Sequence, residues 1–266
     1  MSLENLKKQI ESNDELKDLT LSNSDLLVIS KFFKIKDTTI DGYKPVLKTD
    51  PYVEIVYVET EAKRNQKIQN EMKQNLSVFE SDVYLQDATF SGFEVYNEER
   101  GKVKELALKF IKNYSKTNYV KGLYLYGQYK SGKTYALSMI ANELARNNIN
   151  VLLVFMPDLV RTIKQGINDG DLEKKINILK QAEVLMLDDI GGENFSPWFR
   201  DEILLPILQY RLSAMLPTFF SSNLTYKELA VILTNNNQDQ VKGTRVIRRI
   251  VDLTEYVKLS EETYPK

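Results

Sequence analysis

The segment Gly122–Leu137, GLYLYGQYKSGKTYAL, constrains the fold of this 266-residue chain more than any other part of its sequence. An apolar run precedes the pattern G-x-x-x-x-G-K-T at residues 127–134, and a run with helical character follows it. Glycines let backbone N–H groups turn inward around phosphate groups, and a helix N-terminus adds a favourable potential. The order strand, glycine-rich turn, helix therefore predicts a phosphate-binding loop at the end of a β-strand.

The residues of this pattern predict a site for a nucleoside triphosphate with Mg²⁺. Lys133 supplies a positive charge to the β- and γ-phosphates, and the Thr134 hydroxyl is a Mg²⁺ ligand. We expect Lys133 to be exposed at the loop. The alternative, a chance match in a turn before a helix, is disfavoured by the flanking strand and helix. The predicted binding residues are Gly127, Gln128, Tyr129, Lys130, Ser131, Gly132, Lys133 and Thr134.

From about residue 93 onward, apolar runs of strand length alternate with amphipathic helical runs. Such alternation predicts an α/β fold in which helices flank a parallel sheet. The predicted strands are Leu123–Tyr126, Asn150–Phe155, Val184–Leu187, Thr218–Ser221 and Tyr256–Leu259. The predicted helices are Ser131–Arg146, Pro157–Ile167, Leu172–Ala182 and Pro197–Met215.

The first part of the chain has a different texture, with two short helical runs followed by two strands that meet at Asp50-Pro51. We predict a small α+β domain over residues 1–85, a linker over 86–92 and the larger domain over 93–266. The expected core of the small domain is apolar and contains Leu26, Leu27, Ile29, Phe32, Val53, Ile55 and Tyr57.

Composition removes several kinds of chemistry. The chain has no cysteine and no histidine, which excludes disulfides, thiolate or imidazole zinc sites, and Ser-His or Cys-His nucleophile pairs. The formal net charge is −1 and the pI is about 5.8, so any contact with nucleic acid should be local, weak or dependent on assembly. No apolar stretch is long enough for a membrane span, and the charged N-terminus is not a secretory signal. A cytoplasmic location is expected.

Two consecutive acids follow the predicted strand in VLMLDDIGGE, residues 184–193. Ligands of parallel sheets bind at the carboxyl ends of the strands, where these acids lie. Asp188 is placed to hold Mg²⁺, and Asp189 to orient and deprotonate a water that attacks the γ-phosphate. An acid pair that caps the next helix is the alternative, which the phosphate loop earlier in the chain makes the weaker interpretation.

Polar residues near the C-terminus complete the predicted site. Asn223 follows a strand, and its amide could orient the attacking water, although a simple helix cap would leave the same pattern. In GTRVIRRI, Arg245 and Arg249 share a helix face while Arg248 points elsewhere. One of these arginines is a candidate finger for a neighbouring subunit; the alternative is a solvated or DNA-contacting face.

In order and spacing, GLYLYGQYKSGKT, VLMLDDIGGE, SPWFRDEIL, LPTFFSSN and GTRVIRRI resemble the AAA+ family, specifically helicase loaders of the DnaI/DnaC type. The resemblance runs from Gly122 to the C-terminus. It implies an AAA+ P-loop NTPase fold, Walker A contacts at Lys133 and Thr134, and a Walker B pair at Asp188 and Asp189. It further implies a sensor I residue at Asn223 and a finger at Arg249, with Arg245 in the same motif.

The N-terminal part resembles the same family around DGYKPVL and EIVYVETEAKR. In that family this domain grips the replicative helicase and commonly folds around zinc. Lys44 stands at the place of the histidine ligand and Thr60 at the place of one cysteine, so no zinc site is expected here. The resemblance implies a hexameric DNA helicase as partner.

The leading functional hypothesis is an ATP-dependent loader that places the helicase on single-stranded DNA. The resemblance implies slow, assembly-dependent ATP hydrolysis and self-association through Arg249. One alternative is an IstB-like transposition helper ATPase. Another is a nucleotide-gated binding protein with little turnover, because Asp189 replaces the usual glutamate. A small-molecule kinase would need an arginine-rich lid, and it would not need the Asp188–Asp189 pair followed by Asn223.

Overall fold

Two units, Met1–Lys67 and Ile68–Lys266, divide the chain in the computed structural model. The structure describes residues 3–13, 16–17, 19–67, 70, 79, 85–192, 195–234 and 240–260. The division falls earlier in the chain than the domain boundary predicted at residue 85. Most of the residues between these two positions lie outside the described part of the chain.

The first unit contains helices and an antiparallel hairpin. Its elements are α1 (Leu3–Glu11), α2 (Asn23–Ile35), β1 (Tyr43–Lys48) and β2 (Glu54–Glu59), followed by helical residues 61–67. The Ser22 side chain caps α2 by accepting from Asp25 N, and the Asp25 carboxylate accepts from Ser22 N. The two strands pair along their whole length, with Val46 opposite Val56.

The core of this unit is smaller than the predicted one. Leu6, Ile10, Leu16 and Ile29 are buried, and Leu26, Phe33, Leu47 and Val53 pack around them. Leu27 is 74% exposed and Tyr57 50% exposed, so their placement in the core was wrong. The helical period explains the error for Leu27, because Leu26, Ile29 and Phe33 share one face of α2 and Leu27 points away from it.

A polar clasp joins the turn before β1 to the residues after β2. Thr60 N and Thr60 Oγ1 both donate to Gly42 O, each at 2.8 Å. Lys63 Nζ donates to Asp41 O (2.7 Å) and lies 3.8 Å from the centroid of the Tyr43 ring. Thr60 and Lys63 thus tie the two ends of the hairpin together with hydrogen bonds.

The second unit is built on five parallel strands. They are β3 (Gly122–Tyr126), β4 (Val151–Phe155), β5 (Val184–Asp188), β6 (Thr218–Ser222) and β7 (Thr254–Lys258). They lie in the order β4-β5-β6-β3-β7, and every neighbouring pair is parallel. The predicted parallel sheet is therefore confirmed. Strand β7 begins two residues before the predicted Tyr256, because Thr254 and Glu255 also pair with β3.

Helices follow the strands, as predicted. They are α3 (Glu98–Asn113), α4 (Lys133–Arg146), α5 (Met156–Asp169), α6 (Leu172–Gln181), a π-helical segment (Phe199–Leu204) that continues into α7 (Leu205–Ser213), α8 (Tyr226–Thr234) and α9 (Gln240–Leu253). Helix α3 was not predicted, because its first turn is charged and its apolar residues begin only at Val103. None of the helices in the described part of the chain combines the length and the apolar character needed to cross a membrane.

Both faces of the sheet are covered. On one face α3 and α4 pack against the side chains of Leu123 and Leu125. On the other face α5 to α9 pack around Tyr124, the residue between those two leucines. The result is a three-layer α/β/α arrangement that leaves the ends of the strands free for a site.

The segment predicted as a linker, 86–92, is instead held on α4. Asn142 Nδ2 donates to three carbonyl oxygens, those of Leu85 (3.1 Å), Gln86 (3.1 Å) and Ala88 (2.7 Å). Ser138 Oγ accepts from Leu85 N (3.2 Å), and the Tyr135 hydroxyl accepts from Thr89 N (3.2 Å). The mixed composition of the segment suggested a linker, but its backbone groups are bonded to a helix about fifty residues later in the chain.

Replacing Thr60 with valine tests the clasp, because valine keeps the branched shape and removes the hydroxyl. We expect the first unit to lose about 1 kcal/mol of unfolding free energy. Hydrogen–deuterium exchange on the full chain should show faster exchange of the β1 and β2 amides. Thr38→Val is the control, since Thr38 Oγ1 donates within its own turn to Ile35 O. Unchanged protection of both strands in Thr60→Val would contradict the assignment.

Candidate nucleotide-binding site

The phosphate loop runs from the end of β3 to the first turn of α4. Gly127 N donates to Ser222 O on β6 (3.1 Å). A Cβ on Gly127 would lie 1.7 Å from Leu259 O, so only glycine fits there. Gly132 is the N-cap of α4 and has φ +94°, a left-handed conformation that glycine adopts without strain. Between the glycines, three residues are exposed: Gln128, Tyr129 and Lys130.

Lys133 lies at the centre of the loop and is only 8% exposed, so the expectation of an exposed side chain was wrong. Its ammonium group donates to Gly127 O (2.9 Å), Gln128 O (2.6 Å) and Asn223 Oδ1 (2.9 Å). These acceptors satisfy the buried charge, as burial of an ammonium group requires. The loop wraps around the side chain, which the linear pattern does not reveal.

Asp188 and Thr134, the two residues predicted to bind Mg²⁺, are hydrogen-bonded to each other. Thr134 Oγ1 donates to Asp188 Oδ2 (2.8 Å), and Ser221 Oγ donates to Asp188 Oδ1. Burial raises the pKa of the Asp188 carboxyl, while the hydrogen bonds from Ser221 and Thr134 partly offset that rise. A hydroxyl and a carboxylate are hard oxygen ligands of the kind that Mg²⁺ prefers. The donor set therefore fits this ion.

Asn223 connects Lys133 to Asp189. It accepts from Lys133 Nζ and donates from Nδ2 to Asp189 Oδ1 (2.9 Å). Asp189 has φ 60°, and its backbone N–H donates to Ser221 Oγ (2.9 Å). The left-handed conformation turns the carboxylate of Asp189 out of the line of β5. The segments that follow β3, β5 and β6 thus each supply a side chain to one network.

These side chains line a cavity of about 530 Å³. Its walls include the loop residues Tyr129, Lys130 and Gly132, the acids Asp188 and Asp189, and Leu85, Lys133, Thr134, Tyr135, Phe155, Ser221 and Asn223. The cavity combines a cation, a helix N-terminus and a hydroxyl–carboxylate pair, a combination that suits a nucleoside triphosphate with Mg²⁺.

The predicted finger residues lie apart from this cavity. Arg249 Nε donates to Gln209 Oε1 on α7 (2.6 Å), and Arg249 Nη1 lies 3.6 Å from Asp252 Oδ2. A depression of about 480 Å³ is lined by Arg245, Arg248, Arg249, Leu205, Pro206 and Gln209, none of which lines the nucleotide cavity. The structure therefore does not bring Arg245 or Arg249 into the site of its own chain. Arg248 lines the same depression as the other two arginines, so the expectation that it points elsewhere was wrong.

Sequence reasoning missed two residues near the loop. Ser221 bonds both acids, and the only sequence signal was its position one residue before the end of β6, beside Asp188 in the sheet. Arg100 Nη1 donates to Ser131 O (2.9 Å) from α3, a helix that the sequence did not predict. No motif marks Arg100, because its acceptor is a backbone carbonyl.

Three features define the class of protein: a phosphate loop after β3, an acid pair at the end of β5, and an amide after β6, the strand that lies between these two in the sheet. The protein is an AAA+ P-loop protein, with helices on both faces of its parallel sheet. Residues of the loop, both acids and the amide line one cavity.

Comparison with known proteins specifies the family: the chain belongs to the DnaI/DnaC helicase loaders, within the family described as IstB-like ATP binding protein, whose model matches residues 37–266. The replicative helicase loader DnaI of Bacillus subtilis (strain 168) is 38% identical over 230 residues, 84% of this chain and 73% of that protein. The loader DnaC of Buchnera aphidicola subsp. Baizongia pistaciae is 29% identical over 172 residues, 64% and 65% of the two chains. A crystal structure of DnaI matches with a TM-score of 0.62 and 40% identity, covering 65% of this chain and 92% of that one.

The raised pKa of Asp188 predicts that Asp188→Asn stabilises the protein without nucleotide or Mg²⁺ at neutral pH. A carboxyl whose folded pKa exceeds its unfolded pKa opposes folding once the pH is above the unfolded value. The gain in melting temperature should therefore be full above the folded pKa of Asp188 and disappear as the pH falls below the unfolded value. Thermal unfolding in chelator at several pH values measures this. A gain that is absent at neutral pH, or that grows on acidification, would contradict the prediction.

Proposed function

We propose that this protein is an ATP-dependent loader that binds a hexameric replicative DNA helicase and places it on single-stranded DNA. The observation that carries the proposal is the similarity to the B. subtilis loader, which covers 84% of the chain. That share exceeds what the Ile68–Lys266 unit alone can supply, and the family match itself begins at residue 37. The similarity therefore includes the N-terminal unit as well as the nucleotide site.

The geometry of the site supports ATP hydrolysis as part of this proposal. Lys133 and the N–H groups of the loop would bind the phosphates, and Thr134 and Asp188 would hold Mg²⁺, which would neutralise charge on the phosphate oxygens. Asp189 accepts the proton of the attacking water, and the Asn223 amide orients that water. These roles rest on the contacts among Lys133, Asn223 and Asp189.

Slow turnover by an isolated chain fits the same contacts. Asn223 Nδ2 donates to Asp189 Oδ1, so one carboxylate oxygen is already engaged. Aspartate also reaches less far than the glutamate usual at this position in AAA+ proteins. Activation then requires that Asn223 or Asp189 shift when a partner assembles on the site.

A partner subunit supplies the missing positive charge in this proposal. Arg249, with Arg245 on the same helix, completes the site of a neighbour, because neither residue lines the nucleotide cavity of its own chain. A finger neutralises charge that develops at the exposed end of the nucleotide. Self-association through α9 is therefore part of the function, and single-stranded DNA contact depends on it.

The N-terminal unit binds the helicase in this proposal. Its hairpin exposes both apolar and basic side chains, and it carries none of the nucleotide-site residues. On one face of the hairpin, Lys44, Val46, Lys48 and Val58 are exposed. A small apolar surface with basic residues around it is suited to a protein partner.

A second candidate is an IstB-like transposition helper, which the name of the matching family favours. In that case the partner of the N-terminal unit is a transposase. A nucleotide-gated binding protein with little turnover is the third possibility, which the engaged carboxylate of Asp189 favours.

Association with helicase tests the proposal directly. The full chain, mixed with the replicative helicase of the same organism, should co-elute with it in gel filtration. The fragment 1–85 should compete for this binding, since it contains the unit with the hairpin. Absence of co-elution with and without ATP would overturn the loader proposal, and binding to a transposase instead would establish the IstB-like function.

Subunit mixing tests the finger. Arg249→Ala and Lys133→Ala should each be inactive alone. Loss of a finger should lower the rate of ATP hydrolysis by roughly 10³–10⁵-fold. Mixed under conditions where sedimentation confirms assembly, they should recover activity at interfaces that pair an intact pocket with an intact Arg249. Arg161→Ala, an exposed arginine on α5, is the control and should keep full activity alone. Assembly without recovered hydrolysis would exclude a finger acting in trans.

A further inference from the structure

Arg100, in the first turn of α3, places a buried guanidinium group against the phosphate loop. The residue is 8% exposed. Its Nε donates to Glu94 O and its Nη1 to Ser131 O (2.9 Å). The guanidinium carbon lies 4.1 Å from the centroid of the Phe93 ring and 4.6 Å from that of Tyr96. Two carbonyls and two aromatic rings thus fix the orientation of this cation.

The partners of Arg100 are unusual for a buried cation. Burial of a charge is costly unless hydrogen bonds and an opposite charge compensate it. Across the ranges that the structure describes, Arg100 forms no ion pair with a carboxylate, whereas the buried Arg200 pairs with Asp201. Its Nε and Nη1 instead donate to a backbone carbonyl before α3 and to one in the phosphate loop. The hydrogen bond to Ser131 O therefore indicates that Arg100 acts on the phosphate loop.

The Ser131–Gly132 peptide is where Arg100 acts. In a trans peptide the C=O and N–H groups point in opposite directions. Because Arg100 binds Ser131 O, the N–H of Gly132 points away from the guanidinium group. Gly132 has no side chain, so this peptide could otherwise rotate at little steric cost. An ideal Cβ on Gly132 would lie 3.3 Å from Arg100 Nη1, which shows how closely the guanidinium packs on the loop.

We propose that Arg100 is a positioning residue for nucleotide binding. It holds the Ser131–Gly132 peptide in the one orientation in which the Gly132 N–H faces the phosphates. The inference rests on the nucleotide binding of the proposed function, and it goes beyond it by assigning the loop geometry to a residue outside the loop. Arg100 itself does not contact the nucleotide.

This role has a distinct signature. A backbone N–H that binds a phosphate present in both ADP and ATP contributes equally to the affinity for each nucleotide. Loss of Arg100 should therefore weaken the binding of ADP and of ATP by the same factor. A hydrogen bond to a charged group corresponds to roughly 10- to 100-fold in affinity. The same contact persists from bound ATP to the transition state. KM for ATP should therefore rise while kcat stays at the wild-type level.

The experiment compares Arg100→Met with Arg211→Met in the full chain. Arg211 is a matched control because it is also buried. It lies near the amino ends of β5 and β6, away from the nucleotide site, and donates to the carbonyls of Leu179, Lys180, Ala182 and Pro217. Binding of fluorescent ADP and ATP analogues is titrated for each protein, and thermal unfolding reports the folded fraction. Arg100→Lys serves as a second variant, since lysine keeps the charge and can donate to Ser131 O.

The proposal predicts that Arg100→Met weakens both analogues equally and that Arg100→Lys restores part of the affinity. Arg211→Met, or Arg211→Lys if methionine does not fold, should lower the melting temperature without changing the affinity of the folded protein. Wild-type affinity in folded Arg100→Met would overturn this inference and leave the proposed function standing. Loss of folding in both Arg100 variants would also overturn it, by assigning Arg100 to the fold. Failure of the wild-type protein to bind either analogue would overturn the proposed function as well.

Discussion

The position of β6 between β3 and β5 determines which side chains meet at the nucleotide site. Parallel strands end at one edge of a sheet, so the loop after β3, the acids of β5 and the amide after β6 converge there. Ser221 on β6 bonds Asp188 on β5, and Asn223 bonds Lys133 after β3. A slip of one residue in β6 would turn Ser221 to the other face and separate this network. The chemistry of the site thus depends on a pairing between strands far apart in the chain.

Much of this arrangement could be predicted from the sequence. The phosphate loop, the acid pair and Asn223 are local patterns, and the rule that parallel strands carry ligands at their carboxyl ends brings them together. Arg100 and Asn142 could not be predicted, because they bind backbone carbonyls, which are present at every residue and leave no sequence signal. The burial of Lys133 was missed for the same reason, since two of its acceptors are carbonyls of its own loop.

Helix α4 links the nucleotide site to the chain that precedes it. Its first residue, Lys133, binds the loop, and three residues along one side of the helix, Tyr135, Ser138 and Asn142, bind the backbone of residues 85–89. As long as these bonds hold, α4 and that segment move as one body. The segment predicted as a linker is therefore bound to α4, the helix that follows the phosphate loop, and Leu85, the residue just before that segment, lines the nucleotide cavity.

The left-handed conformation of Asp189 (φ 60°) has an evolutionary consequence. In the genetic code, one base change separates aspartate from glutamate, asparagine and glycine. The backbone at this position accepts asparagine and glycine easily, whereas glutamate costs on the order of 1 kcal/mol. Substitution of Asp189 by glutamate therefore introduces conformational strain, whereas substitution by asparagine or glycine, which lack a carboxylate, introduces little. The backbone conformation alone therefore does not require an acid at position 189, because asparagine and glycine fit it as readily as aspartate does.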